Sequence, residues 1–165
     1  MAVIDNAFET KGTHLYFANG TVTSDPSVTK LTCPTSIPGV NAGTRDRIDT
    51  TCLDKTGPFR TYVGGFADPG EIQIPFILYD GDGSHQALFE LQQSAEVIGW
   101  YVGLSDSSAP PTLDTDFNLV SPAGRTGFSF RGYVSSLSLD ATVNEVIRGT
   151  LGIQVVGATT PHWAA

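Results

Sequence analysis

FSFRGYVSSLSLDATVNEVIRGTLGIQVVG, residues 128–157, carries the strongest β signal of the chain. Two runs rich in β-branched and aromatic residues, 128–139 and 143–157, flank a short polar connection, the pattern of a long antiparallel hairpin. Period-two alternation sets Glu145, Ile147, Gly149, Leu151, Ile153 and Val155 on one face of the second run. Val146, Arg148, Thr150, Gly152, Gln154 and Val156 take the other face. The first face is the core side. The residues after it, through Trp163 to Ala165, lose the alternation and read as a C-terminal tail, 158–165, that straps the surface or frays.

Working back from this hairpin, WYVGLSD at 100–106 reads as another strand, followed by a Ser/Pro/Asp-rich surface loop over 105–116. SHQALFELQQSAEV, 84–97, is the one helix: Ser84 caps it, Leu88, Leu91 and Ala95 repeat at three and four residues, and Gly99 ends it. Glu71 to Tyr79 alternates again, with Ile72, Ile74, Phe76 and Leu78 facing the core. Pro75 has no N–H to give to a ladder, so this strand is an edge or carries a bulge. THLYFA at 13–18, VTKLTC at 28–33 and Arg45 to Cys52 add short strands. The turn signals Asn19-Gly20, Asp25-Pro26 and Pro34 to Pro38 separate them.

These pieces predict a mainly β protein, a β-sandwich or open barrel of antiparallel sheets with one flanking α-helix. A chain of 165 residues suits a single domain, 1–165, with residues 1–30 as an N-terminal arm. Gly 18, Pro 10 and 40% apolar residues fit a turn-rich globular chain. The net charge of -8 argues against gripping phosphates. The longest apolar runs fall short of a membrane span. MAVIDNAFETK has neither the basic nor the apolar part of a secretory signal, so the cytoplasm is the expected compartment. There Cys33 and Cys52 are expected as reduced thiols.

No motif for chemistry stands out. Asp80-Gly81-Asp82-Gly83-Ser84 opens like a calcium loop, but His85 stands where the glycine belongs and Leu91 where the bidentate glutamate belongs. His14, His85 and His162 have no ligand partners at zinc spacing, and neither a nucleophile elbow nor a phosphate loop is present. Trp100 and Trp163 read as structural, and the interleaved Arg45-Asp46-Arg47 as a solvated strand face. No cofactor, metal or catalytic residue is expected.

Between two of these strands lies DTTCLDKTGPFRTYVGGFADPGE, residues 49–71, a Gly/Pro-punctuated segment without the ingredients of an active site. The order of motifs around it carries a resemblance: DTTCLD, a Gly/aromatic loop, GGFADPGEIQIPF, SHQALFEL, GWYVGL and FSFRGYVSSLSLD leading to VNEVIRGTLGIQVVG. Residues 35–157 thus resemble the tail tube (major tail) proteins of long-tailed bacteriophages. That resemblance implies a sandwich with one helix, like the tube of type VI secretion systems. It implies homo-hexameric rings stacked head to tail into the hollow tail of a virion, through which DNA passes without sequence-specific binding. Tape measure, tail-tip and terminator proteins are the implied further partners, and no membrane is involved. The loop at about 54–68 sits where the family's ring-to-ring loop belongs, which makes Lys55, Phe59, Arg60, Tyr62 and Phe66 its expected contacts. A negative or neutral lumen lets DNA slide, and Glu71, Asp140 and Glu145 are the candidate lumen acids, the alternative for each being a place on the outer wall or a pairing with Arg148 or Arg131.

Two other readings compete. A monomeric β-sandwich binding module, for carbohydrate or another ligand, would use Trp100, Trp163 or the 54–68 loop as an aromatic platform. A metal-dependent hydrolase would use Asp80, Asp82 and His85.

Overall fold

Antiparallel pairing organises the chain. The computed structural model describes residues 7–19, 27–40, 43–54 and 56–164. The Gly20 and Asp25-Pro26 turn signals and parts of the expected N-terminal arm lie outside the described residues. In chain order the strands are β1 (His14–Asn19), β2 (Ser27–Lys30), β3 (Thr44–Asp49), β4 (Tyr62–Asp68) and β5 (Glu71–Ile77). Helix α1 (Gly83–Ser94) follows, then β6 (Ile98–Gly103), β7 (Thr112–Leu113), β8 (Leu119–Val120), β9 (Gly127–Asp140) and β10 (Arg148–His162). Six strands form one sheet in the order β2-β1-β6-β9-β10-β5, while β3-β4 and β7-β8 are separate two-stranded pairs. The mainly β architecture with one flanking helix is as the sequence predicts.

Alternation places the core. Leu15, Phe17, Trp100, Val102, Phe130, Val134, Leu151, Ile153, Ile72, Ile74 and Phe76 share one face of the sheet, beneath Ala87, Leu88 and Leu91 of α1. Each such large side chain contributes about 1.5–3 kcal/mol on burial. The single polar group of Trp100 is satisfied, its indole N–H donating to Gly132 O at 3.1 Å. The β5 pattern holds as expected, and β5 is an edge strand. Its outer side is partly covered: Thr35 N–H donates to Pro75 O at 2.8 Å and Ile77 N–H to Cys33 O at 3.1 Å.

Several boundaries differ from expectation, three of them on α1 and the C-terminal strand. Asp82, not Ser84, caps α1: its carboxylate accepts from the backbone N–H of Ser84 at 2.8 Å, and Ser84 Oγ instead accepts from Thr32 N–H at 3.2 Å. Hydrogen bonding from the Ser84 hydroxyl, ahead of the backbone donors, holds the Asp82 carboxyl down at about 2. The helix ends at Ser94, with Ala95 in the left-handed region at φ 51, so Ala95 is exposed and Gly99 already belongs to β6. Residues 158–162, expected in a tail, continue β10 and pair with β9 as far as His162 opposite Gly127, after an irregularity between Val156 and Thr160. That irregularity breaks the alternation, which is why the sequence pattern fades there.

The opposite face of the sheet is divided. Near β1 and β6 it is covered by β7-β8, where Leu119 and Leu113 pack on Tyr16 and Tyr101. Arg125 fastens this end from a buried position. Its guanidinium donates to Leu104 O at 3.1 Å, Ala109 O at 2.7 Å, Gly103 O at 3.1 Å and His14 Nδ1 at 3.1 Å. A guanidinium only donates, so His14 accepts at Nδ1 and carries its proton on Nε2. Burial, then Lys30 and Arg125, lower the His14 pKa below its ordinary value. Near β9, β10 and β5 the face is open and largely polar, with serines on β9, Glu71 and Gln73 on β5, and Thr150, Gln154 and Arg148 on β10.

Candidate assembly surfaces

Glycine starts the hairpin. Gly43 adopts φ +87, and a Cβ there would lie 2.9 Å from Asp68 O, so the base of β3-β4 closes only on a residue without a side chain. From that base β3 and β4 run out antiparallel, Thr44 opposite Asp68 and Asp49 opposite Tyr62. Residues 62–68, expected as part of a loop, are thus strand, and the tip is 50–61. Nearly every residue of both strands is exposed. An isolated two-stranded hairpin is marginal in water, so local ties matter. Asp49 accepts from Thr51 N–H at 2.9 Å and meets Arg60 at 3.3 Å, Thr50 N–H reaches Thr61 O at 2.9 Å, and the Arg47 guanidinium lies 4.3 Å from the Tyr62 ring centre. The Thr51 hydroxyl is the first cause that lowers the Asp49 pKa.

The hairpin carries apolar side chains that its own chain does not cover. Phe59 is 80% exposed and Phe66 94%, with Leu53, Ile48 and Val63 also exposed. Fully covering a leucine or phenylalanine is worth about 1.5–3 kcal/mol, so this concentration marks a surface that gains by contact. Of the five expected contact residues, Phe59, Arg60, Tyr62 and Phe66 lie on this hairpin, and Lys55 lies outside the described residues.

A second surface is the open polar face. Glu71 and Gln73 of β5, Thr150 and Gln154 of β10, and Ser136, Ser138 and Asp140 of β9 alternate away from the core. Glu71 and Asp140 share this face but sit at opposite ends, level with Gln154 and Arg148. Six residues of strand separate those levels, about 20 Å. Glu145 lies beyond the face, in the turn between β9 and β10. Residues 143–147, expected to open the second strand with Glu145 and Ile147 on its core face, lie instead in this turn, which exposes Val143, Val146 and Ile147.

The residues considered for other chemistry are used structurally. Nδ1 of His85 accepts from Tyr79 N–H at 3.3 Å, so Nε2 donates to Thr32 O at 3.0 Å, and the ring stacks on Phe76. Asp82 is committed to the helix cap. Among the described residues no three His, Cys, Asp or Glu side chains gather to hold a metal, and no helix is long and apolar enough to cross a membrane. Trp100 is fully buried and offers no platform, while Trp163 is 71% exposed and stands edge-on to Phe128. Cys33 and Cys52 are both free thiols.

Known proteins share this architecture. Residues 6–165 match the family model for the lambda-like phage tail tube protein. Structural protein 3 of Pseudomonas phage PAJU2 is 35% identical over 160 residues, covering 93% of this chain and 92% of its own. The SPP1 tail tube superposes with a TM-score of 0.62 at 11% identity, covering 94% of this chain and 80% of that one. A tail protein of an empty gene transfer agent particle, solved with C6 symmetry, superposes with a TM-score of 0.62 at 15% identity, covering 95% and 100%. The chain belongs to the lambda-like phage tail tube protein family, and it is a structural component of the virion tail, not an enzyme.

Proposed function

We propose that the whole chain acts as one tube domain that assembles with itself into hexameric rings, stacked head to tail around a lumen through which DNA leaves the particle. The observation that carries this reading is the β3-β4 hairpin, which holds Phe59 at its tip and Phe66 on β4 in solvent and has no core of its own. A monomer gains nothing from such an element, whereas a head-to-tail interface covers it in every copy. Phe59, Arg60, Tyr62 and Phe66 make the ring-to-ring contact, together with Lys55. The six-fold symmetry of the gene transfer agent tail supports the ring number.

The polar face of β9, β10 and β5 lines the lumen. Small hydroxyls and the carboxylates of Glu71 and Asp140 share this wall with Arg148, which stands opposite Asp140, so the wall carries no excess of cations to hold phosphates by counterion release. Glu145 stands at its rim. The terminal strands β2 and β5 meet their neighbours around the ring, which satisfies backbone groups that an edge leaves open. Tape measure, tail-tip and terminator proteins complete the tail.

Negative-stain electron microscopy of the purified protein over a concentration series, with light scattering for the soluble species, tests the reading. Rings or hollow tubes of uniform diameter are expected. Monodisperse monomers at every concentration would count against self-assembly.

A further inference from the structure

We infer that the turn between β9 and β10 of one copy is the seat for the hairpin tip of the next copy in the stack. The inference rests on the tube reading and names the surface that receives the hairpin.

Placement is the first argument. The hairpin joins the sheet through Pro69-Gly70 at the Glu71 end of β5, where Gly70 O accepts from Val155 N–H at 3.2 Å and from the Gln154 side chain at 3.0 Å. The β9-β10 turn borders the other end of the same strand, where Leu78 N–H donates to Ile147 O at 3.0 Å. The base of the hairpin and the turn therefore occupy opposite ends of one strand. A copy displaced along the strand direction presents its turn to the hairpin of its neighbour, and every copy repeats the contact.

The second argument is chemical match. Val143, Val146 and Ile147 are exposed on the turn, with Leu139 and Tyr79 beside them, and the tip brings Leu53 and Phe59. Two apolar patches on one chain, neither covered by that chain, are each other's occupant. Trp163 lies at the end away from the turn, since His162 pairs with Gly127 while Arg148 pairs with Asp140.

Charge gives the third. Four of the nine basic residues, Arg45, Arg47, Lys55 and Arg60, and four of the seventeen acids, Asp46, Asp49, Asp54 and Asp68, fall within 44–68. The hairpin is neutral, and the rest of the chain carries the whole -8. At the turn end Asp80, Asp140 and Glu145 outnumber Arg148, and none of them is in an ion pair, since Asp49–Arg60 is the one ion pair among the described residues. A neutral, arginine-bearing tip approaches that end without the repulsion that two acidic bodies meet.

Cys52 is an exposed thiol near the tip, which makes a direct test available. The Cys33→Ser/Val146→Cys and Cys33→Ser/Val143→Cys variants are assembled, treated with a short bis-maleimide and separated on a denaturing gel; Cys33→Ser/Phe89→Cys, with its new thiol on α1, is the control. Expected are tubes, and a ladder of covalent dimers, trimers and larger products from both turn variants at least tenfold stronger than from the control. Tubes without that ladder, or with an equal ladder from the control, overturn the seat and leave the tube reading standing. Absence of both tubes and ladder at every concentration overturns both.

Discussion

Ser135 Oγ on β9 donates a 2.6 Å hydrogen bond to Glu71 Oε1 on β5, although β10 lies between the two strands. The bond crosses β10 at Gly152, where a Cβ would run into Glu71 Oε1 and Ser136 Oγ. An absent side chain on the middle strand thus lets the outer two be tied across the polar face. That tie fixes the Glu71 carboxylate over the sheet.

Gly152→Ala tests it. The added methyl must displace both the Glu71 carboxylate and the Ser136 hydroxyl, and overpacking of this kind costs about 1–3 kcal/mol. Urea denaturation is expected to show a lower midpoint with an unchanged slope.

Phe59→Ala separates folding from assembly. Phe59 is exposed, so the monomer is expected to keep its stability within about 0.5 kcal/mol. Tube formation, read by light scattering, is expected to need a higher protein concentration. Tyr62→Ala should act in the same direction and also lose its contact with Arg47, worth about 0.5–1 kcal/mol at an exposed site.

Reversing the charge of the proposed lumen makes it hold DNA. In tubes of a Glu71→Lys/Asp140→Lys variant, double-stranded DNA is expected to bind at low salt and to come off steeply as salt rises, whereas unaltered tubes do not retain it. Filter retention of labelled DNA checks this.

His14 links the Arg125 anchor to pH. Its pKa is lowered in the folded chain, so the neutral form is favoured by folding. The stability this supplies is fully present above the unfolded value of about 6.5 and is lost as pH falls toward the folded pKa. Comparing urea midpoints near pH 7.5 and near pH 5.5, about one unit either side of that value, the protein is expected to lose more stability than His14→Gln.

The strands with one dry face were legible because burial imposes a period of two. Ile72, Ile74 and Phe76 show it in β5, as do Leu151, Ile153 and Val155 in β10. The helix was visible through Leu88 and Leu91, but its ends were not, because Asp82 and Ser84 are both good caps and a left-handed Ala95 gives no signal. Strand β4 was hidden since neither of its faces is buried and Gly64-Gly65 interrupts any pattern. Arg125 was invisible because SPAGRTG has the composition of a surface loop, and only tertiary packing turns its guanidinium inward. Order of motifs and residue type single out the hairpin residues Phe59, Arg60, Tyr62 and Phe66, while the exposed Val143, Val146 and Ile147 stand out only once the sheet shows which end the turn occupies.

Helical reconstruction of assembled tubes by electron cryomicroscopy shows whether the β3-β4 hairpin joins stacked six-fold rings. Rings of six are expected, with residues 44–68 crossing into the adjacent ring and Glu71 facing the lumen. Tubes in which the hairpin stays within its own ring, or in which the Glu71 face points outward, would contradict this arrangement.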